Sequence, residues 1–400
     1  MKNTIHRFIA IISLITIFHS CNSPKNKDEP QLISNENRNA SSVFMTTDSK
    51  KQLVISWIET DNNDIKSFYF ARWDVKENKF SVAKKIPIPN TVSTHEEGMP
   101  KIAFKNDGTI FVSYESSVPV AGTKWGRTLL KFITSKDDGK TWSKPANVAI
   151  SSAKIASQSF SGLARIGDGE IAAVWLDSNA NPNLHTRVVM FAKTNAQNTF
   201  DTPVQITTRT CECCRVAVSG NKNGQIIVAF RDLLDGNVRD ISSSISNDNG
   251  KTFQEPIDFS KDGWIINGCP HNGPSISNHG SKNFATWYSG ADDGAMHFAE
   301  LDRDGKVLNK KILTKKGRFA QITQLPNEQS IVAYNVEFEK SGKTFSQIMI
   351  LKTSEKNATP IKVGNPKGNA NYPMIEAIDN QNVIVAWRDS DRIFYKKIFL

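Results

Sequence analysis

Four thiols and an imidazole make the densest chemical grouping in this sequence. Cys211-Glu212-Cys213-Cys214-Arg215 places three cysteines within four positions, and Cys269-Pro270-His271 adds a fourth thiol and a ring nitrogen. In an exported chain, which the N-terminus indicates below, an even number of thiols reads as a disulfide framework. One bridge would then tie Cys211, Cys213 or Cys214 to Cys269. The same side chains are soft S and N donors of the kind that hold Zn²⁺ or Cu(I). Their spacing matches no zinc ribbon, so disulfides are the preferred expectation and a metal the alternative. A second grouping is His95-Glu96-Glu97, where neighbouring carboxylates are expected to raise the histidine pKa. Asp177, Arg231, Arg239, Arg318 and Arg388 are charged residues at the ends of apolar runs, and Trp264 is an aromatic that can stack on a sugar ring. None of these motifs requires a cofactor. The sequence shows no Gly-rich phosphate loop, nucleic-acid motif or heptad pattern.

What could bring residues so far apart in the chain together is a repeat. Alternating apolar runs end in an aromatic at Trp57, Tyr114, Trp175, Phe230, Trp287, Tyr334 and Trp387, in steps of 47 to 61 residues. Each unit reads as about four short strands joined by Gly/Asn turns, and almost no segment has helical period. That is the spacing of an all-β propeller. Seven four-stranded blades are expected, with six as the alternative. The last unit supplies three strands, so Gln31–Ser34 is expected to add the fourth and close the ring, which removes exposed sheet edges. In such a ring, the loops entering each blade and those joining its second and third strands share one mouth. That sorting gathers His95, Glu97, Asp177, Cys211, Glu212, Arg231, Arg239, Trp264, Cys269, His271, Arg318, Tyr372 and Arg388 on one face, where binding sites commonly lie.

A shorter repeat resembles a known family. Residues 135–142 read Ser-Lys-Asp-Asp-Gly-Lys-Thr-Trp and residues 246–253 read Ser-Asn-Asp-Asn-Gly-Lys-Thr-Phe. Both resemble the Asp-box (BNR repeat) of sialidase-like β-propellers. The Asp can bond back to turn amides, the Gly permits positive φ, and the aromatic can plug a core. Segments 72–80, 193–200 and 302–307 look like decayed copies. The resemblance implies a glycosidase that acts on an anionic glycan. It implies that Arg231 binds the substrate's anionic group and that Tyr372, in Asn371-Tyr372-Pro373, is the nucleophile; Arg239, Arg318 and Arg388 are nominated beside Arg231 from their loop positions alone. A base such as Glu212 would take the Tyr372 proton. From loop position and not from the resemblance, Glu97 or Asp177 would serve as acid/base, and His95, Trp264 and His271 would contact substrate. Two departures stand out. Gly98-Met99-Pro100 has Met where the family's first Arg is expected, and Cys213-Cys214 occupies the region of the family's base. The alternative is a non-catalytic propeller that binds a glycan, a protein or a soft metal through the Cys/His mouth.

The chain's own address is legible at its start. Lys2 and Arg7 precede an apolar run, Ile9 to Phe18, that is short for a membrane span. Ile17-Phe18-His19-Ser20-Cys21 resembles a lipobox, in which Cys21 would be lipidated after removal of the leader. Residues 1–21 are therefore expected as a lipoprotein signal peptide, 22–37 as a flexible tether and 38–400 as the propeller. A lipid-anchored, monomeric protein of the cell envelope follows, at an outer membrane or cell surface, touching the membrane only through its anchor. The formal net charge of +10 is spread along the chain without a basic run, which argues against nucleic acid as a partner.

Overall fold

A computed structural model describes residues 29–122, 126–150, 157–181, 186–354, 358–364 and 368–400. The leader and Cys21 lie outside these residues, as do Trp125 and His185. Seven antiparallel sheets follow one another around a ring. Blade 1 is built on Asn39–Thr47, Leu53–Thr60 and Lys66–Asp74, and blade 2 on Lys101–Phe104, Ile110–Val118 and Arg127–Ser135. Blade 3 uses Ser159–Arg165, Ile171–Ser178 and Arg187–Lys193, and blade 4 Ala217–Gly220, Ile226–Arg231 and Ile241–Ser246. Blade 5 uses Ser275–His279, Lys282–Ser289 and Ala295–Leu301, and blade 6 Arg318–Gln324, Ser330–Lys340 and Lys343–Lys352. Each of these blades is completed by an outer strand that follows in the chain.

Blade 7 is different. Its strands Ala370–Ala377, Asn382–Asp389 and Arg392–Phe399 take their outer partner from the N-terminus, Gln31–Leu32, in register Gln31 to Tyr395 and Leu32 to Phe394. The fold is thus the seven-bladed, N-terminally closed propeller that the repeats imply. The closing strand lies inside the stretch 22–37, so the propeller takes up the end of that stretch. Among the described residues the only helical piece is a single 3₁₀ turn, Asp235–Asn237, and no helix is long and apolar enough to cross a membrane.

The strand-end aromatics explain why these blades stack. Trp57, Tyr114, Trp175, Phe230, Trp287, Tyr334 and Trp387 are each at most 1% exposed. Each sits in a different hydrophobic cluster, and each cluster joins one blade to the preceding one, with Trp57 between blades 7 and 1. One large ring per interface contributes roughly 2–3 kcal/mol of burial. The ring therefore closes by seven similar contacts.

The Asp-boxes form the turns their sequence implies. Asp137 accepts hydrogen bonds from the Thr141 amide (2.8 Å) and hydroxyl (2.6 Å), and Asp248 from those of Thr252 (3.0 and 2.6 Å). Gly139 and Gly250 hold φ of 82°. Trp142 and Phe253 pack into the core on the neighbouring blade's side. The decayed copies keep the bonding without the motif. Asn195 accepts from Gln197, Thr199 and the Thr199 hydroxyl, and Asp302 accepts from Asp304 and Lys306.

Candidate functional site

Four inner strands break register where they enter the mouth. The shifts fall between Ser41 and Phe44, Ser159 and Gly162, Arg318 and Gln321, and Asn371 and Met374. Within each bulge one non-glycine residue adopts the left-handed region: Ser42 (φ 60°), Phe160 (56°), Phe319 (54°) and Tyr372 (51°). For a bulky residue this costs on the order of 1–3 kcal/mol. Bulges re-aim side chains, and here they do so at equivalent places around the ring. Phe319 and Tyr372 meet with ring centroids 4.4 Å apart. Tyr372 is half-buried. Burial raises its pKa above the ordinary phenol value, the charges of Glu96 and Glu97 add to this, and Arg388 opposes it.

The loop leading into blade 2 supplies the charged centre. Glu97 is 1% exposed and accepts from the Arg215 guanidinium (2.5 Å), the Gly273 amide (2.8 Å) and the Arg215 amide (3.3 Å). Arg215 also donates to the carbonyls of Pro274 and Ala320. One ion pair thus ties together the loops of blades 2, 4, 5 and 6. Glu96 accepts from the Ser42 amide (3.0 Å) and from Arg388 (3.2 Å), which bonds Asp391 as well. Burial lifts the Glu96 pKa to about 7 despite Arg388. Beneath them, burial raises the Glu115 pKa and lowers that of Lys101. Gly98 is required by this packing, because a Cβ there would stand 2.7 Å from the Glu115 carboxylate. Below the charged layer, the inner strands enclose a channel cavity of about 310 Å³, lined in part by Arg165, Thr323 and Glu376.

The Cys/His residues converge on the same mouth. Cys211, Cys213 and Cys214 are buried against Phe160, and the Cys211 and Cys213 sulfurs are 4.0 Å apart. The ligand atoms of Cys213, Cys269 and His271 lie within 4.8 Å of one another, as do the three sulfurs of Cys211, Cys213 and Cys214. All four are free cysteines here. His95 and His271 face each other at 5.3 Å between ring centroids, and Phe160 stands edge-on to His95 at 5.6 Å. The His95 pKa is lowered, not raised: burial and the His271 charge outweigh Glu97.

Several expected site residues have other duties. Arg231 is 1% exposed and donates to the carbonyls of Arg239 (2.7 Å), Asn272 (2.9 Å) and Tyr288 (2.7 Å). Trp264 covers it, with the guanidinium carbon 4.8 Å from the ring centroid. Neither residue is available to a substrate. Arg239 bonds Asn237, and its amide donates to the Trp264 carbonyl. Arg318 is exposed and lies 4.9 Å over the Tyr288 ring, on the rim. Asp177 is buried, accepting from Trp175 Nε1 (3.0 Å) and Gln158 (3.1 Å), which is an anchoring role and no acid/base position. Glu97 is locked by Arg215 and is likewise unsuited to proton shuttling. Glu212 is exposed, and its charge acts on Arg187, whereas the carboxylates that act on Tyr372 are Glu96 and Glu97. The Asp177 duty has a sequence signal. A carboxylate follows the aromatic by two positions in Trp57-Ile58-Glu59, Trp175-Leu176-Asp177 and Trp387-Arg388-Asp389, and Glu59 also accepts from its Trp. Sequence reading places Glu96, Glu115 and Arg215 at the mouth without giving them a role, and it does not single out Lys101, Phe160 or Phe319, which nothing local marks.

A family model described as a BNR repeat-like domain matches residues 61–385. No curated protein matches the chain. Among solved structures, an ulvan lyase of polysaccharide lyase family PL25, bound to -[GlcA(1-4)Rha3S]-, is similar with a TM-score of 0.56 at 12% identity, covering 94% of this chain and 95% of that one. A protein of unknown function from Dyadobacter fermentans DSM 18053 is similar with a TM-score of 0.50 at 15% identity, covering 94% and 99%. A Hadza microbial sialidase aligns with a TM-score of 0.46 at 12% identity, covering 87% and 77%.

Proposed function

The chain belongs to the BNR repeat-like family, and from that premise we propose that it cleaves an anionic glycan at the propeller mouth, as a lipid-anchored protein of the cell envelope. The observation that carries this reading is Tyr372, held in a strained bulge, packed against Phe319 and within the field of Glu96 and Glu97. A neutral phenol is a suitable nucleophile toward a sugar that bears its own carboxylate, because an anionic nucleophile would be repelled. Glu96 is the proton acceptor. A carboxylate whose pKa stands near 7 is matched to that task, and Arg388 positions it. Among the described residues the Tyr372 hydroxyl makes no hydrogen bond, which leaves it open to a substrate. Arg318 on the rim supplies a cation for the glycan's acidic group, and the paired rings of His95 and His271 offer further donors. The ulvan lyase that shares the fold is bound to a unit containing glucuronic acid, which agrees with an acidic substrate class. No cofactor is invoked in this chemistry.

The second reading is a non-catalytic glycan-binding propeller. It is favoured by the inward commitment of Arg231, which leaves Arg318 and Arg388 as the arginines of the expected set nearest the rim and the reacting centre. One experiment separates the two. The full chain and Tyr372→Phe are assayed on a fluorogenic sialoside and on uronate-rich oligosaccharides. Release that disappears in the variant supports cleavage. Binding of such glycans with no release, equal in both proteins, supports the second reading and rejects the first. Incorporation of labelled fatty acid, lost in Cys21→Ala, tests the anchor.

A further inference from the structure

Cys213 belongs to two donor groups at once. Buried inside the loop before blade 4 are Cys211, Cys213 and Cys214, at 1%, 4% and 3% exposure. Toward the solvent, Cys213 is joined by Cys269 and His271 from the loop before blade 5, both exposed. A centre about 2.3 Å from each of two sulfurs places them roughly 3.8–4.6 Å apart, whereas a disulfide needs about 2.05 Å. The Cys211 and Cys213 sulfurs, at 4.0 Å, have the spacing of two ligands on one ion. Both loops are held for reasons independent of the thiols. The Cys211 amide donates to the Arg231 carbonyl (3.1 Å), and Thr210 Oγ1 donates to the same oxygen (2.8 Å). Asn237 fastens the other loop through the Ile266 carbonyl (3.0 Å) and the Asn267 side chain (2.6 Å). His271 is held at φ 46°, a conformation few non-glycine residues adopt and one that needs outside support.

From this arrangement we infer that the mouth holds a soft d¹⁰ cation, Zn²⁺ or Cu(I), ligated by Cys213 together with further donors of the two groups that it joins. Preorganised donors, a dry sulfur-lined floor and one imidazole at an open side are what thiophilic ions select. Each ligating thiol gives its proton to solvent as the ion binds, and no electron is transferred. The two ions differ in the geometry they take. Zn²⁺ favours a tetrahedral set of Cys213, Cys269, His271 and one more thiol. Cu(I) is satisfied by the buried sulfur trio alone. The site shares His271 with the proposed glycan contacts but not Tyr372, and ion uptake is measured without substrate, so its failure is distinguishable from a failure of glycan cleavage.

The test titrates the reduced full chain, without oxygen, with Zn²⁺ and separately with Cu(I), each against a chromophoric chelator of known affinity. One equivalent of either ion is expected to be taken up, with affinity about 100-fold weaker in Cys213→Ser, because that thiol serves both groups. If Zn²⁺ is the ion, Cys269→Ser and His271→Ala weaken it by at least about 10-fold. If Cu(I) is the ion, these two variants bind nearly as the native chain does and Cys211→Ser does not. Cys269 is exposed, so its variant guards against a buried substitution that merely misfolds. Tyr372→Phe should bind the ion like the native chain. Uptake of neither ion, or equal uptake by the Cys213→Ser and native chains, overturns the inference. So does an isolated protein that is lighter by four hydrogens and stays metal-free after reduction.

Discussion

The Arg215 guanidinium meets the Glu97 carboxylate at 2.5 Å in the buried middle of the mouth, across 118 residues of chain. Both groups are almost fully removed from water, at 8% and 1% side-chain exposure. Removing one partner leaves the other charged and unpaired, a loss of about 3–5 kcal/mol. Glu97→Ala is therefore expected to lower the unfolding free energy by that amount and to shift the denaturant midpoint down with it. Because Glu97 is a fastening and not a proton carrier, Glu97→Gln, which keeps an acceptor for the Gly273 amide, should be less severe. Equilibrium unfolding of both variants checks this, and a native-like midpoint for Glu97→Ala would contradict the assignment.

In the proposed reaction, Arg388 sets the pH at which Glu96 can act as a base. Burial raises the Glu96 pKa to about 7, and the Arg388 charge holds it below where burial alone would leave it. A base works when deprotonated, so turnover should rise with pH through about 7. In Arg388→Ala the counter-charge is gone, the pKa rises further, and the acidic limb of the rate profile should move to higher pH. The pH dependence of kcat for the two proteins reads this directly. A limb that stays in place would remove Glu96 from the proposed role.

How far the sequence discloses this molecule depends on the range of each interaction. The Asp-box is read easily because all its bonds close within four residues, from Ser135 to Asp137 and on to Thr141. The seven aromatics are read easily because every blade interface poses the same packing problem and receives the same answer. The mouth is another matter. Glu97 finds Gly273 across 176 residues and Arg388 finds Glu96 across 292, and no local pattern encodes such pairs. Arg231 looks like a ligand-binding arginine in sequence, since what disqualifies it is a carbonyl from its own loop together with two carbonyls and a tryptophan from distant parts of the chain. The bulges at Phe160, Phe319 and Tyr372 are equally silent, because the backbone conformation they share is imposed by the ring.

Acid should loosen the two Asp-box turns. The Thr141 and Thr252 hydroxyls, followed by their amides, hold Asp137 and Asp248 at a pKa of about 2, below the value in an unfolded chain. A folded pKa that is depressed stabilises above the unfolded value, about 4, and the contribution is lost as pH falls toward 2. Asp248→Asn has no such proton to take up. Its denaturant midpoint should be lower than native at neutral pH and should fall less between about pH 5 and pH 2. Parallel slopes for the two proteins would show that the turn contributes nothing to acid sensitivity.

Glu376, in the wall of the channel, has the opposite sign. Burial raises its pKa to about 7, and the hydroxyl of Thr323, 3.5 Å away, offsets little of that. Between the unfolded value near 4.5 and the folded value near 7, the unfolded chain gives up a proton that the folded chain keeps, so raising the pH favours unfolding. The channel is partly open to water, which screens the carboxylate and reduces the penalty to about 1 kcal/mol. Glu376→Gln removes the penalty without changing the side chain's shape. The variant should match the native chain near pH 4 and exceed it in stability by that amount near pH 8. Denaturant midpoints at the two pH values decide the matter. A variant less stable than native at pH 8 would mean that the ionised carboxylate is held by a partner of its own, which would make Glu376 a binding group inside the channel.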